Sequence, residues 1–108
     1  MSEETTPAPT PTAAFPVEWH GDLSLQEFLN ALDARPGARA AVETYFQRIA
    51  ASGTSIKLRS PESRELERFL SGSELLLDQV IIYPSGKPLT SGLYLHVEAG
   101  QLIATSHS

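Results

Sequence analysis

The spacing of apolar residues changes along this chain, and that change constrains the fold more than any single motif. Between Ser24 and Ala51 the apolar residues recur at helical spacing. From Thr54 onward most of them alternate with polar ones, which is strand spacing. A helical layer followed by a strand-rich half implies an α+β domain built around one core.

The helical half is punctuated clearly. In SLQEFLNALDAR, Ser24 and Glu27 form an S-x-x-E capping box, and Leu25, Phe28, Leu29 and Leu32 fall on one helical face. Pro36 and Gly37 end that helix. A second helix is predicted over about 38–51, with Val42, Tyr45, Phe46 and Ile49 as its apolar face and Gly53 as its stop. The two form a helical hairpin. In TSIKLRS, Ile56 and Leu58 alternate with Lys57 and Arg59, which predicts a short strand. Ser60-Pro61 then starts a short third helix, with Pro61 at its first position. Leu66, Phe69 and Leu70 give that helix one narrow stripe, and Gly72 closes it.

The remainder reads as sheet. Val80-Ile81-Ile82-Tyr83 is apolar at every position, so its strand is buried on both faces or keeps one face for a partner. The stretch before it, 73–79, fits a helix start as well as a strand. In LYLHVE, Leu93, Leu95 and Val97 point inward while Tyr94, His96 and Glu98 point outward. Ala99-Gly100 makes a two-residue turn into a closing strand, QLIATS. The expected order is ααβαβββ, with a mostly antiparallel sheet of three or four strands.

Residues 1–16 hold four of the eight prolines among Thr, Ala, Glu and Ser, and are expected to form a disordered leader ahead of a single domain, 17–108. Phe15, Val17 and Trp19 form a short extended entry, with the lone tryptophan as a buried anchor. There is no cysteine, which excludes disulfides, thiolate metal ligands and a cysteine nucleophile. The acidic start lacks the features of a secretory signal, and no apolar run reaches the roughly 20 residues of a membrane helix. The expectation is a small acidic cytoplasmic protein without membrane contact. Arginine outnumbers lysine six to two, a usage that points to a GC-rich, bacterial-type genome.

The net charge of −5 is unevenly placed: residues 1–34 carry −6, residues 35–68 carry +3 and residues 69–108 carry −2. The overall acidity disfavours nucleic acid as a partner, since backbone binding needs several phosphates neutralised. The basic middle, with Lys57, Arg59, Arg64 and Arg68, keeps that reading as a second alternative. It is weakened by Glu62, Glu65 and Glu67 on the same helix.

The chain offers few motifs for chemistry. The SGK in YPSGKPLTSG does not make a phosphate loop, because Pro88 follows Lys87 and a strand, not a helix, comes next. The stretch from 84 to 92 is expected to be a long loop beside the sheet. The three histidines have no ligand-type neighbour at helical spacing, so no metal and no cofactor is expected. No triad or nucleophile elbow is present, and no catalytic residue is assigned. The Tyr94, His96, Glu98 row supports an alternative: a small enzyme or ligand-binding domain with a helix–sheet pocket lined by these three.

The leading expectation is a non-enzymatic adaptor, inhibitor or regulator. It would bind a protein partner, or a second copy of itself, through an exposed sheet face and the 84–92 loop. The residues assigned to that surface are Lys57, Arg59, Ile81, Tyr83, Lys87, Tyr94, His96 and Glu98. Either Ile81 with Tyr83 or Val80 with Ile82 must join the face.

Overall fold

The protein is described from a computed structural model that covers residues 17–107. The elements are β1 (Val17–His20), α1 (Leu25–Leu32), α2 (Ala38–Ala51), β2 (Ser55–Arg59), α3 (Ser63–Leu70), β3 (Leu75–Ile82), β4 (Pro88–Glu98) and β5 (Gln101–His107). The class is α+β, as the change of period implies. The proline-rich leader, 1–16, lies outside the described residues.

The sheet has five strands in the order β1-β2-β3-β4-β5. Only β1 and β2 are parallel, with the α1–α2 hairpin as the crossover that parallel strands require. The other pairs are antiparallel. The strand beyond the expected three or four is β1. Its four residues are too few for a period to show, and Trp19 packs on Phe28 with its ring 5.1 Å away.

Local chemistry sets the helix ends. The Ser24 hydroxyl accepts from the Glu27 N–H at 3.0 Å, and the Glu27 carboxylate accepts from the Ser24 N–H at 2.9 Å. That second contact holds the Glu27 carboxyl below its ordinary range. The third helix begins two residues later than expected. Glu62 caps it in a box with Glu65, and Pro61 is buried just ahead of it.

Residues 73–79 are strand rather than helix: β3 alternates buried and more exposed side chains along its whole length. The expected long loop is corrected as well. The connection is only Tyr83 to Lys87, closed by the Tyr83 N–H donating to the Lys87 carbonyl at 3.0 Å. Pro88 to Gly92 continue as strand, opposite Ile82 to Asp78. Pro88 sits at the first strand position, where proline is tolerated. Gly92 leaves room for the Leu76 side chain, whose Cδ1 would stand 2.7 Å from a Cβ there.

Register decides which face is the core. Ile56 pairs with Ile81, Leu77 with Leu93, and Leu75 with Leu95, which pairs in turn with Ala104. All are buried, and paired residues point to the same side of a sheet. Phe28, Leu29, Val42, Phe46 and Phe69 join them in one cluster, with Leu66 and Leu70 packed against it. The apolar stripes of all three helices therefore serve a single face of the sheet. One polar residue, Gln79, is buried among them. Its amide nitrogen donates to the Tyr45 hydroxyl at 2.7 Å and the Ser91 hydroxyl at 3.1 Å, and its Oε1 has no partner among the described residues.

Arg35, in the α1–α2 turn, ties the helical layer together. Its guanidinium donates to the Phe69 and Ser73 carbonyls, each at 2.7 Å, and lies over the Phe69 ring at 4.6 Å. It thereby adds a second donor to the Phe69 carbonyl, which already accepts from the Gly72 N–H at 3.0 Å, and fastens the segment that leaves α3 to the α1–α2 turn.

Candidate protein-contact face

The opposite face of the sheet follows from the same register. Glu18 pairs with Lys57, Lys57 with Val80, and Val80 with Thr90. Leu76 pairs with Tyr94, Tyr94 with Thr105, and His96 with Ile103. No helix packs its apolar stripe here. Leu76 remains 43% exposed, and Val80, Ile82, Tyr94 and Ile103 are half-buried, with the exposed Asp78 between Leu76 and Val80 on the same face of β3.

Five of the eight residues assigned from sequence share this face: Lys57, Arg59, Tyr94, His96 and Glu98. Ile81 does not. It is 6% exposed, pairs with Ile56 and points into the core, and Val80 and Ile82 occupy the open face in its place. Tyr83 and Lys87 lie on the β3–β4 turn at the end of the sheet, with Tyr83 40% exposed. Leu76, Ile103 and His107 were not anticipated. Leu76 was hidden in a Leu75-Leu76-Leu77 run that has no period of its own, and Ile103 and His107 sit on a strand assigned without a face.

The polar groups differ in how firmly they are held. Arg59 makes a two-pronged bridge to Glu65, Nη1 to Oε1 at 2.9 Å and Nη2 to Oε2 at 3.0 Å, with Asp78 Oδ2 at 3.4 Å from its Nε. The hydrogen bonds from Arg59 hold the Glu65 carboxyl below its ordinary range, and those carboxylates raise Arg59 in turn. The charge of Arg59 is thus already matched within the chain. Lys57 is exposed and has no partner among the described residues. Tyr94 stacks on His96 with centroids 4.4 Å apart and rings 14° from parallel, and His107 lies 5.5 Å away on its other side. The Glu74 carboxylate, which accepts from the Tyr94 hydroxyl, pushes the phenol above its ordinary range.

Tyr94, His96 and Glu98 do not line a helix–sheet pocket. They project from the face opposite the helices. A cleft of about 570 Å³ lies between α2 and β5 and contains none of the three. Among the described residues no three His, Cys, Asp or Glu side chains converge on a point that would hold a metal ion. Arg64 and Arg68 are exposed on α3 rather than on the sheet beside Lys57. No helix among the described residues is long and apolar enough to cross a membrane.

Comparison of the chain with protein-family models, with curated proteins and with solved structures found no match in any of the three.

Proposed function

We propose that this protein is a non-enzymatic interaction domain, an adaptor, inhibitor or regulator of the cytoplasm, that binds a protein partner through the open face of its sheet. One observation carries the reading: all three helices pack on the same side, so a row of aliphatic and aromatic side chains faces outward. Leu76, Tyr94 and Ile103 form its centre, Val80 and Ile82 lie beyond the Arg59–Asp78 pair, and Lys57, His96 and Glu98 flank it. An apolar, aromatic-bearing centre with a polar rim is the anatomy of a protein interface. Tyrosine is also among the residues that dominate binding energy. The β3–β4 turn, with Tyr83 and Lys87, borders the face and extends the contact.

A photo-crosslinking side chain at position 94, compared with one at Gln47 on the exposed side of α2, tests this in the native host. A discrete protein adduct from position 94 alone is the expected result. Adducts from position 47 alone would move the binding surface to the helices.

A further inference from the structure

The sheet has two edges, and they are not alike. β1 is four residues long and carries Glu18, which makes it a poor template for another strand. β5 has seven residues, Gln101–His107, with no proline, no Lys, Arg, Asp or Glu, and no break in its one-to-one pairing with β4. The two-residue turn closes on the Glu98–Gln101 pair, so alternate residues from Gln101 direct their backbone groups to β4. Leu102, Ala104 and Ser106 direct theirs outward. Arg48 reports that direction: its Nη2 donates to the Ala104 carbonyl at 3.0 Å from the outer side. The outward N–H groups of all three residues have no partner among the described residues.

Beside this edge, α2 and β5 leave the cleft of about 570 Å³. Its helical wall is Gly37, Ala40, Ala41 and Thr44, so nothing bulkier than threonine stands there except Arg48. An approaching strand therefore meets unpaired backbone, and an approaching helix meets small side chains.

We propose that the occupant of this edge is a second copy of the chain, with the two β5 strands paired antiparallel to make one ten-stranded sheet. The strand is its own complement about Ala104. Leu102 pairs with Ser106 of the second copy, Ala104 with Ala104 and Ser106 with Leu102, and no charged residue of β5 meets its like. Because α2 runs alongside β5, with Gly37 near Leu102 and Tyr45 bonded to Ser106, the two α2 helices also meet antiparallel. Arg48 releases the Ala104 carbonyl to the new strand. A contact about 23 Å long and two layers, roughly 20 Å, deep projects to about 460 Å² per copy. That is little more than half of the ~800 Å² per partner of standard interfaces, so the expected dimer is a weak one, with a dissociation constant in the micromolar-to-millimolar range. This edge is separate from the open face, and either surface can fail without the other.

The test uses the full chain in sedimentation velocity across micromolar to millimolar concentration, joined to amide hydrogen exchange. The comparison variant is Ala40→Arg/Thr44→Arg. Both sites are exposed on α2, and arginine is a good helix former, so the fold is retained and circular dichroism confirms it. The expected result is a wild-type dimer whose dissociation constant rises about tenfold or more in the variant. The Leu102, Ala104 and Ser106 amides should exchange slowly in the wild type and quickly in the variant, with Ile103 and Thr105 slow in both. A monomer throughout the range overturns the proposal. So does a dimer whose Leu102, Ala104 and Ser106 amides exchange freely, which would place the contact elsewhere. Slow exchange of those amides in a strict monomer would put another segment of the same chain on the edge and overturn it too.

Discussion

Leu76 and Leu77 are neighbours in the chain and opposites in the sheet, so truncating each to alanine separates the covered face from the open one. Leu77 is fully buried between its pair Leu93 and the helical layer, while Leu76 is 43% exposed. Truncating a fully buried leucine removes its transfer energy and leaves a cavity, so Leu77→Ala should cost about 3 kcal/mol. Leu76 lies over Gly92 and gives up only part of its surface to the fold. Full burial of a leucine is worth about 1.5–3 kcal/mol, so Leu76→Ala should cost about 1 kcal/mol. In a domain of this size the pair should differ in melting temperature by on the order of 10 °C. Urea denaturation followed by the fluorescence of Trp19, the single tryptophan, measures both losses. Equal losses near 3 kcal/mol would refute the reasoning, because Leu76 would then be covered in solution by something that packs as closely as the helices do.

Three further outcomes follow from local chemistry. Arg35→Ala should destabilise by about 2 kcal/mol, and Arg35→Lys should recover only part, since one ammonium cannot bond both carbonyls while lying over Phe69; chemical denaturation checks this. Ala99 has φ 53°, a left-handed conformation in which asparagine is better tolerated than alanine, so Ala99→Asn should raise stability by about 0.5–1 kcal/mol in the same assay. Glu65 has its folded pKa depressed by Arg59 below the ordinary 4.5. Its contribution is therefore complete above the unfolded value and lost as pH falls through the depressed one, so Glu65→Gln should flatten the acid limb of a stability–pH curve while leaving its neutral shape unchanged.

The helices and most strands were legible because their signals are local. The Ser24–Glu27 box and the 25, 28, 29, 32 spacing specify α1 without reference to the rest of the chain. The outward set Tyr94, His96, Glu98 was legible because strict alternation in β4 leaves one consistent assignment. The run Val80 to Tyr83 has no alternation, so only pairing could decide it. Once Lys57 stands opposite Val80 and Ile56 opposite Ile81, Ile81 must face the core. β1 was legible as an extended entry but not as a member of the sheet, because its partner is distant in sequence. The expected loop over 88–92 is strand because neither Pro88 nor Gly92 breaks it. One sits at a strand start, and the other makes room for Leu76. Coverage of the Tyr94 face could not be read at all, since it depends on where the stripe of α3 packs.

Differential capture shows whether the open face binds a partner. The full-length protein, its Leu76→Lys variant and its Gln47→Lys variant would be immobilised in parallel and exposed to lysate of the native host. Bound proteins would then be quantified by mass spectrometry. Leu76→Lys places a charge in the middle of the open face, whereas Gln47→Lys places one on the exposed side of α2. Binding through the open face predicts a specific partner retained by the wild type and by Gln47→Lys and lost by Leu76→Lys. A partner retained equally by Leu76→Lys would contradict it.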